Sequence, residues 1–180
     1  KVGLSSFTYE TPRVNGKKTI NGIIVPEAAA DLIDSFGYES LDKDLQKIIS
    51  RANLLRERGA DLIVFYIHWG EEYSRKPNSY QKKIAEELIS GGIDIILGCH
   101  PHVIQPMEVI KTGSGHKGIV IYSLGNFLSD QRYEFLDRPY TEDGVIVHFG
   151  IRKEIDDTIA FTKIAYTPTW VHRYNNGSKT

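Results

Sequence analysis

Two stretches decide the fold: Asp61-Leu62-Ile63-Val64-Phe65-Tyr66-Ile67-His68 and, further on, Ile93-Asp94-Ile95-Ile96-Leu97-Gly98. Each is a nearly continuous apolar run of strand length, and such runs suit strands buried on both faces of a parallel sheet. Between them, Asn78 with Gln81 three residues later forms a capping-box pattern for a helix that runs through Ser90 and stops at Gly91-Gly92. Strand, helix and strand make a βαβ unit, whose crossover is right-handed and whose strands are parallel. Upstream, Leu41, Leu45, Ile48, Ile49, Ala52 and Leu55 recur at helical spacing, with Ser40 as N-cap and Gly59 as stop.

Working outward, residues 2–9 alternate as a strand does, and a polar loop follows with turn signals at Pro12, Asn15-Gly16 and Asn21-Gly22. Residues 23–36 stay open between extended chain at Ile23-Ile24-Val25 and a short helix through Ala28-Ala29-Ala30 and Leu32-Ile33. After residue 103 the pattern changes. Residues 103–110, 118–123, 144–151 and 158–166 read as strands, with turns at Gly113-Ser114-Gly115 and at 154–157 that make them antiparallel neighbours. Residues 124–143 form a long loop, the kind that tends to carry function, and 172–180 read as a frayed tail. The fold class is therefore α/β, a βαβ unit followed by antiparallel strands.

The 180 residues suit one domain, and that length buries a core without disulfide or metal staples. Lys and Arg number 22 against 23 Asp and Glu, so the basic excess expected of a nucleic-acid binder is missing. The single Cys cannot close an intrachain disulfide, which excludes a disulfide-stapled module. No apolar run approaches the roughly 18 residues of a membrane span.

In open α/β sheets, ligands bind beyond the carboxyl ends of the parallel strands. The first strand of the unit ends in His68-Trp69-Gly70-Glu71-Glu72-Tyr73, the second in Gly98-Cys99-His100-Pro101-His102. Three of the six histidines thus meet at one sheet end. Pro101 favours extended geometry at His100, and residues i and i+2 of an extended segment point the same way. Two imidazoles on one side of a rigid loop, with His68 as a third, make a ligand set for zinc, iron, manganese or nickel. The competing chemistry is a metal-free pocket with His as acid or base.

The neighbouring residues each have two readings. Glu71 and Glu72 are either ligands or supports of the centre, or solvated loop carboxylates. Trp69 either stacks on substrate or packs. Cys99, facing away from His100, is an inert thiol. Ser123-Leu124-Gly125-Asn126-Phe127 supplies a tight turn and, in Asn126, a candidate pocket wall. Arg132 and Arg138 either clamp an anionic substrate or are surface charge.

Together, His68-Trp69-Gly70, Glu72-Tyr73, Gly98 with His100-Pro101-His102-Val103, and Ser123-Leu124-Gly125-Asn126-Phe127 resemble the bacterial capsule-synthesis CapA family, linked to poly-γ-glutamate. Phe7-Thr8-Tyr9 is similar as well, and the resemblance covers residues 1–150. That family is similar to the calcineurin-like metallophosphoesterases, which implies a two-sheet sandwich flanked by helices with a two-metal centre. By resemblance His68, His100 and His102 are catalytic metal ligands for zinc, manganese or iron, while Trp69, Glu71, Glu72 and Asn126 stay candidates for substrate contact or ligand support from their position alone. The implied chemistry is phosphoester hydrolysis at the cell envelope, on its extracytoplasmic side, with an anionic polymer or phosphoester as substrate and other capsule-synthesis membrane proteins as partners. The alternative is a non-catalytic envelope subunit that binds or guides the polymer.

The family's earlier motifs, an Asp after a first strand, an Asn/Glu pair and an Asn-Asn-His turn, have no counterpart here. The expectation is that residues 1–171 are the C-terminal larger part of such a domain, with the remaining motifs and an envelope tether upstream. It follows that two metals in the whole protein become at most one here, that the fragment is inactive alone, and that exposed sheet edges favour self-association.

Overall fold

The apolar run Leu62–His68 is an inner strand of a six-stranded sheet. A computed structural model describes residues 1–173. The elements are β1 Val2–Tyr9, β2 Thr11–Val14, β3 Lys17–Ile20, β4 Ile23–Ile24, a 3-10 helix Glu27–Leu32, β5 Ser35–Phe36, α1 Leu41–Glu57, β6 Leu62–His68, α2 Ser79–Ser90, β7 Ile95–Cys99, β8 Met107–Lys111, β9 Lys117–Ile121, α3 Tyr133–Leu136, β10 Asp143–Lys153 and β11 Ile159–Trp170. The main sheet has the order β5-β1-β6-β7-β9-β8, parallel throughout except for the antiparallel edge strand β8.

Alternation along β6 sorts its side chains into two cores. Ile63, Phe65 and Ile67 point to the face covered by α1 and α2, where they join Phe7, Leu45, Ile48, Ile84, Leu88 and Ile96. Leu62 and Val64 point the other way and, with Ile95, meet Phe149, Ile159 and Phe161 from the hairpin β10–β11. The result is an α/β sandwich of two sheets with helices on the outer face, as in the metallophosphoesterases. The second layer is narrow. Val2 and Leu4, in register with Leu62 and Val64, are 59% and 70% exposed.

The α2 capping box is present: Gln81 N donates to Asn78 Oδ1 at 2.9 Å and Asn78 N donates to Gln81 Oε1 at 3.0 Å. Ser40 precedes α1 without capping it, because its hydroxyl is bonded to the Asp44 carboxylate at 2.5 Å. Residues 10–24 are not a plain loop. Asn15-Gly16 and Asn21-Gly22 all have positive φ, the signature of tight hairpin turns, and they fold β2, β3 and β4 into a small meander. Both readings of residues 23–36 apply in turn, strand first and 3-10 helix after it.

Three expectations for the later strands need correction. Residues 103–106 precede β8, with only Ile104 bridging to Leu124. The strand expected at 118–123 is antiparallel to β8 but also parallel to β7, so it lies inside the main sheet. The expected tail begins packed, since the His172 ring lies 5.0 Å from that of Trp170. Residues 174–180 of that tail lie outside the described residues.

Candidate metal centre

Parallel register brings the site together. Thr8, His68 and Cys99 are aligned across β1, β6 and β7, so the residues just beyond them share the carboxyl end of the sheet. There the His68 ring lies 4.4 Å from His100, and His100 lies 6.1 Å from His102, centroid to centroid. One ligand atom each from Glu72, His100 and His102 falls within 4.8 Å of the others. Two imidazoles and a carboxylate are a donor set that fits a divalent transition metal.

The backbone that presents the two imidazoles is not the extended segment expected from Pro101. His100 has φ +97° and His102 φ +57°. Positive φ at two non-glycine residues flanking one proline is rare, and it is held here by the surrounding bonds. Tyr73, with φ +64°, donates its N–H to the Pro101 carbonyl at 2.7 Å, and the Trp69 N–H donates to the Cys99 carbonyl at 3.2 Å. Gly98, inside β7, lets the strand pass close to the chain after β9: a Cβ there would sit 2.0 Å from the Tyr122 carbonyl oxygen.

The side chains around the centre are tied in place. His102 Nδ1 lies 3.0 Å from Asn126 Oδ1. Asn126 is buried, and its turn depends on Gly125 at φ +70°, whose Cβ position is blocked by the Asp143 carbonyl at 2.4 Å. His68 Nδ1 lies 3.0 Å from the Thr8 hydroxyl, and its ring stacks on Tyr9 at 5.5 Å. The Tyr9 hydroxyl is hydrogen-bonded to His100 Nε2 at 3.1 Å. Burial, then the His100 and His102 charges, pushes His68 down to about 4. Burial and His102 push His100 down as well. Both imidazoles are thus neutral at pH 7, the form that ligates metals. Burial and Glu72 raise Tyr9, so its hydroxyl keeps its proton.

The candidate residues separate by role. Glu72 joins the ligand cluster, whereas Glu71 accepts from Asn78 Nδ2 at 3.2 Å at the start of α2. His68 stands beside the cluster rather than within it. Trp69 does not reach substrate: it is fully buried, stacks on Tyr122 at 5.9 Å and donates Nε1–H to the Tyr122 carbonyl at 2.9 Å. The Cys99 thiol is raised by burial and stays unreactive. Arg132 is no clamp, because it is 9% exposed and bound to Glu142, Glu134 and the Val171 carbonyl.

Thr8, Tyr9 and Tyr73 contact the histidines although none stands out by residue type. Two signals pointed to Thr8 and Tyr9: the Phe7-Thr8-Tyr9 resemblance, and their place at the end of a strand that pairs with β6.

Residues 1–131 match the family described as bacterial capsule synthesis protein PGA_cap. The chain is 41% identical over 117 residues to the capsule biosynthesis protein CapA of Bacillus anthracis, a match covering 64% of this chain and 26% of that protein. It is 40% identical over 98 residues to the PGA biosynthesis protein CapA of Bacillus subtilis, covering 54% and 23%. The matches span about a quarter of the length of these relatives. With the family match covering most of its length and all three histidines of the site, the chain belongs to the bacterial capsule synthesis protein family.

Proposed function

We propose that this chain supplies the Glu72, His100 and His102 side of a divalent-metal centre in a metallophosphoesterase-like hydrolase of poly-γ-glutamate capsule synthesis. The observation that carries this reading is the convergence of those three ligand atoms within 4.8 Å at the carboxyl end of the parallel sheet. A bound divalent ion supplies Lewis acidity to a phosphoester or amide bond. The chain's own residues do the rest. Asn126 orients His102, Thr8 and Tyr9 fix the His68 and His100 rings, and burial keeps the imidazoles neutral. His68 joins as a further ligand or as a support of His100. The names of the relatives support a role in making the capsule, and the reading that goes with it is work on the extracytoplasmic side of the envelope, with other capsule-synthesis membrane proteins as partners. Among the described residues no helix is long and apolar enough to cross a membrane.

The test is titration of the purified protein with Zn²⁺, Mn²⁺ and Fe²⁺, followed by phosphodiesterase and polyglutamate-cleavage assays. Tight metal binding that His100→Ala and His102→Ala abolish, together with metal-dependent turnover, is the expected result. Polymer binding with no hydrolysis under any metal would instead make the protein a non-catalytic envelope subunit.

A further inference from the structure

A reciprocal pair of cation–π contacts closes one flank of the centre. The Arg138 guanidinium carbon lies 5.7 Å from the centre of the Tyr73 ring, and that of Arg75 lies 4.2 Å from the centre of the Tyr140 ring. Tyr73 and Arg75 belong to the loop after β6, whereas Arg138 and Tyr140 belong to the loop before β10. Each loop therefore gives one cation and one ring to the other. Both tyrosines hold positive φ, +64° and +72°, a conformation that a bulky residue keeps only where contacts enforce it. The clasp abuts the metal ligands: the Tyr73 ring lies 6.3 Å from that of His102, so Arg138 stands one ring away from it.

The charges in this clasp are unspent. Neither Arg75 nor Arg138 makes an ion pair among the described residues, while the buried Arg132 in the loop before β10 is paired with Glu134 and Glu142. Glu71 is bonded to Asn78 and Glu72 faces the histidines, so neither is paired with these guanidiniums. A guanidinium stacked on a ring still offers in-plane N–H groups, which match an oxyanion in bidentate fashion. Arg138 and Tyr140 lie beyond residue 131, where the family match ends.

We propose that Arg75 and Arg138 form an anion-binding subsite that seats oxyanion groups of the substrate next to the metal centre. This rests on the reading of that centre as a place where substrate is held, and it assigns the substrate a repeated or multiple anionic character. The free α-carboxylates of a γ-linked glutamate polymer and the phosphate of an ester share this chemistry.

Anisotropy titration of fluorescein-labelled oligo-γ-glutamate at low ionic strength tests the subsite on the purified protein, with and without Mn²⁺. Arg75→Gln and Arg138→Gln are each expected to weaken binding roughly five- to tenfold, the scale of one net hydrogen bond at an exposed site, and the double variant by more than either. Arg58→Gln, an exposed cation just beyond α1, controls for net charge and is expected to leave affinity unchanged. Competition by inorganic phosphate identifies a phosphate-like ligand, and resistance to it a carboxylate chain; both outcomes keep the subsite. Equal binding by parent and double variant overturns it, as does an equal loss in Arg58→Gln. Metal affinity, measured separately, is expected to be unchanged in the arginine variants. A protein that binds no metal yet shows the arginine-dependent loss would refute the metal centre and leave the subsite standing.

Discussion

The Asn126 amide dictates the tautomer of His102. Asn126 Nδ2 donates to the Thr141 carbonyl at 2.9 Å and to the His102 carbonyl at 3.3 Å, which leaves Oδ1 facing His102 Nδ1 at 3.0 Å. An amide oxygen only accepts, so the ring proton sits on Nδ1 and the Nε2 lone pair is free for a metal. Asn126→Leu is expected to weaken divalent-metal binding roughly 10- to 100-fold by calorimetry, the usual scale for losing a ligand's hydrogen-bond support. Asn126→Asp keeps the acceptor facing Nδ1 but loses both Nδ2 bonds, and it is expected to lose less affinity than Asn126→Leu. Equal losses in the two variants would show that Asn126 acts through the turn alone.

Glu71 and Glu72 are adjacent in sequence and opposite in consequence. Glu72 contributes to the ligand cluster, while Glu71 is bonded to Asn78 at the head of α2. Glu72→Gln is expected to lower metal affinity by roughly tenfold or more, since it removes an anionic ligand, and Glu71→Gln to leave it within about twofold. His68→Ala is expected to cost less affinity than His100→Ala, because His68 lies beside the cluster. Calorimetric titration of the four variants checks the ranking, and a larger loss in Glu71→Gln than in Glu72→Gln would reverse the assignment.

Acid should destabilise the metal-free protein in a window set by its histidines. His68 titrates ordinarily at 6.5 but is pushed down to about 4 in the fold by burial and by His100 and His102. Between those values the unfolded chain binds a proton that the folded chain refuses. The stability contributed by neutral His68 is therefore complete above pH 6.5 and declines as pH falls toward 4. His100 is depressed too and adds to the same trend. Thermal melts from pH 7.5 to pH 4.5 are expected to show a falling Tm, with a shallower slope in His68→Gln. Parallel slopes for parent and variant would assign the acid sensitivity elsewhere.

The legible parts of the fold were those whose signals are local. β6 and β7 announce themselves as apolar runs, and α2 carries both residues of its capping box within one turn. The convergence of His68, His100 and His102 followed from strand direction alone. The rest of the site depends on contacts distant in sequence. Tyr9 reaches His100 only because β1 pairs with β6, and no local pattern encodes that pairing. Pro101 argued for extended backbone at His100, but the bonds from Tyr73 and Trp69 to the Pro101 and Cys99 carbonyls hold a left-handed turn instead. Arg132 and Arg138 looked equivalent as loop cations. Glu142 decides between them, since it meets Arg132 at 2.8 Å and leaves Arg138 without an ion pair among the described residues.

β1 leaves most of one edge open. Its outer side is paired only at Thr8–Ser35 and Tyr9–Phe36, so the backbone of residues 2–7 has no strand partner on that side among the described residues. The same segment turns Val2 and Leu4 toward the hairpin face, where the second layer of the sandwich stops short of them. An open edge beside exposed apolar side chains is a template for another strand. The 180-residue chain is therefore expected to self-associate through β1 as its concentration rises, giving a mass above the monomer by multi-angle light scattering. Leu4→Lys places a charge on that surface without entering the helix-side core and is expected to shift the mass back toward the monomer. Ser6, in register with the half-exposed Tyr66, offers a second site for the same substitution. A monomer at every concentration, or an oligomer indifferent to both lysines, would mean that β1 is not the contact.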